Sequence, residues 1–332
     1  MNRVIRLGLA IAGLSFAGAT FADSTLLNVS YDVTRELYKD INPAFQKVWQ
    51  ADPKNGVLTI NQSHGGSSKQ VLSVQNGLEA DVVTMNQATD IDLLAKSGLV
   101  STDWRKQFPN GAAPYSSTTV FLVRQGNPKN IKDWSDLIRP DVAVILANPK
   151  TSGNGRYAYL AAWGYAKKKF GSDEKAKEFT KNLLAHVPVL DAGGRGATTT
   201  FTQRGIGDVL ITFENEAFLV DKEISDTKFD VIYPSISIQA DAPVAIVNKV
   251  VDKKDTRAVA KAYLDFLYSP EAQEVIAKNY LRPRLASVAK KYNQQFKPIK
   301  LFTVEDVFGG WDKAQQTHFV DGGSFDQIYE KK

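Results

Sequence analysis

The sequence predicts an α/β protein in two domains, each a mostly parallel sheet flanked by helices. Strand, loop and helix signals alternate from residue 25 onward, the pattern of parallel strands joined by helical crossovers. Beyond the N-terminal leader about 310 residues remain, more than one hydrophobic core usually serves. The chain contains no cysteine, so disulfides, thiolate metal sites and cysteine nucleophiles are excluded, and stability must come from burial.

The N-terminus, Met1-Asn2-Arg3-Val4-Ile5-Arg6, carries two arginines and runs into an apolar stretch from Leu7 to Phe21 that ends Thr20-Phe21-Ala22. This reads as a secretory signal peptide over residues 1–22, cut after Ala22. The apolar run is short for a membrane anchor and gives way to polar Asp23-Ser24-Thr25, so no membrane insertion is expected after processing. The full chain has 41 basic and 36 acidic residues, a net charge of +5; without Arg3 and Arg6 it is +3. That balance is mildly basic, and no Lys/Arg cluster interleaves with aromatics, so nucleic acid is not an expected partner.

Residues 25–31 read as the first strand, followed by a helix over 32–49 with Leu37, Ile41, Phe45 and Val48 at helical spacing. Asp32 stands where strand yields to helix. Residues 57–60 are a second strand, leading into Ser63-His64-Gly65-Gly66-Ser67-Ser68-Lys69 and a helix with Val71, Val74 and Leu78 on one face. Residues 80–85 are a third strand and 90–95 a short helix. A strand over 118–124 ends at the turn Gly126-Asn127-Pro128, and a short helix over 131–137 follows. The apolar run Val142-Ala143-Val144-Ile145-Leu146 feeds Asn148-Pro149-Lys150-Thr151-Ser152-Gly153-Asn154-Gly155-Arg156, and a helical pattern leaves it over 157–170. A charged amphipathic helix over 173–184, a short strand over 187–190 and a Gly/Thr-rich loop over 191–201 come next. Residues 208–213 are a strand, and Glu214 opens a helix. Strands over 231–234 and 243–247 flank a polar crossover. Helices span 256–267 and 270–278, the second with Ser269, Pro270 and Glu271 in the order that favours a helix start. The tail shows Phe308-Gly309-Gly310-Trp311, a helix through Phe319, and Gly322-Gly323.

Three strand-to-helix loops are rich in Gly, Ser and Thr: Gly65-Gly66-Ser67-Ser68, Thr151-Ser152-Gly153 and Gly193-Gly194-Arg195-Gly196. Such loops aim backbone N–H groups and the positive end of a helix dipole at one point, which makes an anion seat at the carboxyl ends of the strands. In the second loop the lysine precedes the glycines, so it is not a phosphate loop of the Gly-x-x-x-x-Gly-Lys type. Fixed N–H groups hold a fully deprotonated anion without a counter-charge, whereas a protonated phosphate would want a carboxylate acceptor beside it.

As a set these motifs resemble those of the bacterial periplasmic sulfate- and thiosulfate-binding proteins. The match runs in order over essentially the whole mature chain and includes Leu26-Leu27-Asn28-Val29-Ser30-Tyr31-Asp32, Ala80-Asp81-Val82-Val83-Thr84, Gly207-Asp208-Val209-Leu210 and Tyr280-Leu281-Arg282-Pro283-Arg284. The resemblance implies a two-lobed type II periplasmic binding protein, with lobe 1 over 23–113 plus 240–332 and lobe 2 over 114–239, and crossover strands near 114–124 and 231–247. It implies the soluble, monomeric, ligand-capturing component of an ATP-driven sulfate importer, working with a membrane permease in the periplasm and needing no cofactor or metal. The ligand donors it implies are the N–H groups of Asp32, Ser67, Gly153, Asn154 and Gly194 and the Ser152 hydroxyl. Arg195 is expected in a structural ion pair behind its loop, with the Asp32 carboxylate turned away from the anion toward a cation such as Arg195.

Two departures stand out. Asn154 occupies a place often held by glycine. Phe213 occupies the place of a tryptophan whose indole N–H completes the sulfate-type seat, and phenylalanine has no donor. Thr198, Thr199 or a water are the expected substitutes, and a thiosulfate-preferring or dual-specificity protein is the alternative reading. Another oxyanion-binding protein, or an enzyme, stands behind both. His64, His186 and His318 lack zinc-binding spacing, no Gly-x-Ser-x-Gly elbow occurs, and Asp81, Asp90 and Asp92 do not match a calcium loop.

Overall fold

The computed structural model describes residues 23–224 and 227–329; the expected signal peptide lies outside the described residues. In chain order the strands are β1 (Ser24–Tyr31), β2 (Leu58–Gly65), β3 (Val82–Thr84), β4 (Tyr115–Arg124), β5 (Val144–Ala147), β6 (Leu190–Asp191), β7 (Val209–Phe213), β8 (Phe229–Ile232), β9 (Ser237–Ala242), β10 (Val244–Ile246), β11 (Arg282–Pro283) and β12 (Leu301–Phe302). They form two sheets, each flanked by helices, the α/β two-lobed arrangement expected.

The first sheet runs β10-β3-β1-β2. β1 is parallel to β2 from Ser24↔Leu58 to Tyr31↔Gly65 and parallel to β3; β10 closes the edge antiparallel. The helix Arg35–Gln50 makes the first crossover, burying Leu37, Tyr38, Ile41 and Phe45 on one stripe. The second sheet runs β12-β9-β4-β7-β5-β6, with β8 and β11 also paired to β4. β4 is buried along all but its last residue. Its first half pairs antiparallel with β9 and its second half with β7 and β8. β5 is parallel to both β6 and β7. Pro243 alone separates β9 of the second sheet from β10 of the first.

Three differences from the sequence reading have identifiable physical causes. The polar crossover contains β9, whose alternating Ser237-Ile238-Gln239-Ala240-Asp241-Ala242 is a strand pattern disguised by small and polar residues. The long helix begins at Gly153, not Tyr157, because Ser152 caps it by accepting from Gly155 N–H. The tail from Leu301, which the sequence reading groups with 23–113, packs on the second sheet while its helix Trp311–Ala314 touches the helix Ala88–Lys96. β12 pairs with β9, a Cβ on Gly164 would lie 2.2 Å from the Phe302 ring, and the helix Ser324–Ile328 packs on the helix Asp173–Ala185. The tail's Trp311, Phe319 and Phe325 need an apolar face, and Tyr157 and Tyr159 of the helix Gly153–Phe170 supply one with edge-on ring contacts. No described helix is long and apolar enough to cross a membrane.

Candidate functional site

Four helix starts stand at the carboxyl ends of parallel strands. The short 3-10 turn Asp32–Thr34, which continues into Arg35–Gln50, follows β1; Ser67–Gln75 follows β2; Gly153–Phe170 follows β5; Gly194–Thr202 follows β6. Their loops meet across the gap between the sheets. A Cβ on Gly66 would lie 2.7 Å from Thr151 O and 2.9 Å from Ala192 O. One on Gly193 would lie 2.4 Å from Asp32 Oδ2, and one on Gly194 3.0 Å from Val33 Cγ1. Backbone therefore packs on backbone from both sheets, at an approach only glycine permits.

The first bonds inside three of these helices are Gln70 N–H to Gly66 O (2.9 Å), Arg156 N–H to Ser152 O (3.0 Å) and Ala197 N–H to Gly193 O (3.2 Å). The amides of Ser67, Gly153, Asn154 and Gly194 come earlier in their helices and have no intrahelical acceptor. Ser152 Oγ accepts from Gly155 N–H at 3.4 Å, so its own proton is left to donate. Asp32, Ser67, Ser152 and Asn154 are all buried. The structure thus sets the loops that carry Asp32, Ser67, Ser152, Gly153, Asn154 and Gly194 against one another.

The charged groups nearby face elsewhere. Asp32 Oδ2 accepts from the Arg195 backbone N–H (3.1 Å); the guanidinium is not its partner. That guanidinium forks onto Glu36 (3.2 and 2.8 Å), and its Nη2 reaches Glu216 Oε2 (3.0 Å). Arg195 is therefore the structural ion pair expected, and it spans the gap, because Glu36 lies on the first-sheet side. Burial pushes the Asp32 carboxyl up, against the pull of the Arg195 amide and charge, and burial raises Glu216 likewise. Burial also opposes ionisation of Glu36, but its Arg195 bonds hold it below the usual range.

Neither threonine faces the seat as a spare donor. Thr198 Oγ1 bonds Gly194 O and Glu216 Oε1 (3.1 and 2.7 Å), and Thr199 Oγ1 bonds Arg195 O (3.0 Å). Their positions one helical turn beyond Gly194 and Arg195 direct the hydroxyls back along the helix. Phe213 is buried at the end of β7, edge-on to Tyr31 and Tyr157 with ring centroids 6.4 and 5.6 Å away.

One residue, Asn86, and one side chain, that of Asn154, escaped the sequence reading. Asn86, just past β3, sets its buried Oδ1 against Gly153, and that oxygen has no hydrogen-bond partner. The Asn154 carboxamide packs on Gly194, donating Nδ2 to Thr212 Oγ1 (3.1 Å) and leaving a buried Oδ1 unpaired. Only the strand-end position of Asn86 could have signalled it.

The acidic residues weighed as metal ligands belong to separate networks. Asp81 binds Leu27 N–H, Thr256 and Lys254; Asp90 accepts from the Ser67 and Ser68 hydroxyls; Asp92 takes the Trp104 indole and Arg105. Among the described residues no group of three His, Cys, Asp or Glu side chains is placed to hold a metal ion. His64 lies within β2, where burial and the Arg35 charge push its pKa down to about 4.

The profile of the family described as bacterial extracellular solute-binding protein matches residues 26–282. A thiosulfate-binding protein of Pseudomonas aeruginosa is 56% identical over 330 residues, 99% of each chain. A sulfate-binding protein of Salmonella typhimurium is 56% identical over 310 residues, 93% of this chain and 94% of that one. Among solved structures, the sulfate-binding protein SubI from Mycobacterium tuberculosis superposes with a TM-score of 0.81 at 31% identity, covering 89% of this chain and 99% of its own. With its two sheets, its shared gap and relatives matched nearly end to end, this chain belongs to the bacterial extracellular solute-binding protein family.

Proposed function

We propose that the chain captures sulfate in the gap between its two sheets, after export and removal of residues 1–22, and hands it in the periplasm to the membrane permease of an ATP-driven importer. The observation that carries this reading is the meeting of four helix starts whose leading amides have no intrahelical acceptor, while Lys150, Arg156 and Arg195 are engaged with other partners. The donors are the N–H groups of Asp32, Ser67, Gly153, Asn154 and Gly194 and the hydroxyl of Ser152. Asp32 and Asp90 engage their carboxylates with protein donors, so neither carboxylate is offered as an acceptor to a protonated phosphate. Thiosulfate is the second reading. Phe213 offers no donor, and the sulfur end of thiosulfate asks for less than a fourth oxygen would.

In this reading the chain works as a monomer and binds without catalysis. Lobe 1 comprises residues 23–113 with 240–300, lobe 2 comprises 114–239 with the tail, and β4 and β9 lie where the lobes hinge. Calorimetric titration of the mature chain with sulfate, thiosulfate and phosphate tests it. One-to-one binding of sulfate or thiosulfate is expected, with phosphate weaker by about 100-fold or more, the equivalent of two lost hydrogen bonds to a charged group. Phosphate binding as tight as sulfate would overturn it.

A further inference from the structure

Asn154 carries a side chain into a loop where its backbone alone would suffice. The residue is only 2% exposed, and its carboxamide is wedged between two helix starts, with Cγ 3.2 Å and Cβ 3.3 Å from where a Gly194 Cβ would be. One end of the amide is bound to the Thr212 hydroxyl at 3.1 Å; the other end is buried without a partner. Such an orphan is costly, and an orphan oxygen beside an anion would also repel it.

Both faults vanish if the two ends of the amide are exchanged. A hydroxyl can give or take a proton, so Thr212 can donate to Asn154 Oδ1 as readily as it accepts from Nδ2. The NH₂ group then takes the place of the unpaired oxygen, on a carboxamide packed against the helix start at Gly194. At the adjoining strand end Phe213 offers only a ring. Thr198 and Thr199, which might have filled the need, have their hydroxyls tied to their own helix.

We propose that the Asn154 carboxamide is itself a ligand donor, held by Thr212, and that it sets specificity by supplying a side-chain N–H where Phe213 supplies none. The assignment rests on the proposed dianion function. Its ligand is a fully deprotonated sulfur oxyanion, and the donor has a fixed direction because its other end is anchored.

The test is titration of the full mature chain and three variants with sulfate and thiosulfate, alongside melting of each ligand-free variant. Asn154→Gly keeps the backbone N–H and should lose tenfold or more in affinity for the preferred anion, the cost of one hydrogen bond to a charged group. Asn154→Asp puts an oxygen where a donor is needed and should lose more. Thr212→Val releases the anchor and should lose less than Asn154→Gly. In the parent, one side-chain amide pair in a ¹⁵N spectrum should shift on adding sulfate, and that pair should be missing from Asn154→Gly. Equal affinity of parent and Asn154→Gly, or an Asn154→Asp chain that binds as well as the parent, overturns the donor role while leaving the function intact. A parent that binds neither anion overturns both.

Discussion

Behind the two helix starts on the first-sheet side stand carboxylates: Asp32, Glu36 and Asp90. Behind the two on the second-sheet side stand the cations Arg195, Arg156 and Lys150, with the buried Glu216 carboxylate paired to Arg195. The geometry of the two sides is alike, a strand end and a helix start, but the groups that pair or couple across the gap are carboxylates on the first side and cations on the second. Arg195 reaches across to Glu36. Buried Arg156 and buried Asp90 feel each other's charge: burial lowers the arginine and raises the aspartate, and each opposes that shift in the other. The two sides therefore attract each other through groups that do not face the anion. In the proposed function the seat can then stay free of full charges and hold its guest by neutral donors, while closure is favoured from behind.

The largest expected break in this pairing comes from contact, not charge. Gly66→Ala would drive a methyl into two carbonyls of the opposite side, Thr151 O and Ala192 O. Overpacking of this kind costs about 1–3 kcal/mol, so sulfate affinity should fall roughly 10- to 100-fold by titration calorimetry. Gly65→Ala is the control. Its Cβ would meet nothing nearer than the Gln70 side chain at 3.4 Å, and affinity should hold. Equal losses in the two would show that the sides do not meet as described.

Glu36→Gln and Glu216→Gln separate the cross-gap pair from the buried one. Glu36 is part-exposed and meets Arg195 across the gap, so removing its charge should weaken binding only a few-fold, by about 1 kcal/mol, and less at high salt. Glu216 is fully buried on the same side as Arg195. Its loss should lower the melting temperature with or without ligand, as expected when one member of a buried pair is removed. Matching effects of the two substitutions would erase the distinction.

One depressed histidine lies on each side. Burial pushes both His64 and His318 down to about 4 from the ordinary 6.5. The unfolded chain then binds more protons than the folded one between those values. Stability from these groups is complete above pH 6.5 and falls as pH drops toward 4. The raised carboxyls Asp32, Asp90 and Glu216 act in the opposite sense on the acid side, so the histidine part must be isolated. His318→Gln keeps a partner for the Tyr159 hydroxyl, 3.1 Å from Nδ1, and should flatten the fall in melting temperature between pH 6.5 and 4. A slope identical to the parent's would remove His318 from the account.

Much of the first sheet was legible in the sequence, because β1 and β3 are largely apolar and the helix Arg35–Gln50 keeps its 3.6-residue stripe, whereas β2 runs on past the expected 57–60 through polar residues 61–65 because β1 pairs with it. Two of the helix starts proposed to form the seat were legible from composition: Gly-Gly-Ser-Ser and Thr-Ser-Gly announce them. What escaped depends on distant partners. β9 is a strand because β4 pairs with it, not because Gln239 or Asp241 prefers one. The tail's place follows from aromatic faces more than 100 residues earlier in the chain. Thr198 and Thr199 looked like spare donors until their helix returned both hydroxyls to its own carbonyls, a local competition that composition does not reveal.

The smallest expected effect belongs to Lys150, which lies in the seat loop yet faces away from the seat. Its Nζ donates to Phe319 O (3.1 Å), Val320 O (3.2 Å) and Asp326 Oδ2 (2.8 Å), tying the loop to the tail. Lys150→Met should leave those carbonyls short of a donor and cost about 1 kcal/mol, seen as a drop of roughly 2 °C in melting temperature for a chain of this size. Affinity should change threefold at most. The loop keeps two other holds, Arg156 Nε on Pro149 O (2.9 Å) and Lys150 N–H on Asn148 Oδ1 (2.9 Å), and neither involves the lysine side chain. A loss of affinity as large as that of Gly66→Ala would instead make the tail part of the seat's geometry, and the second side would then depend on residues 319–326 as much as on its own helix starts.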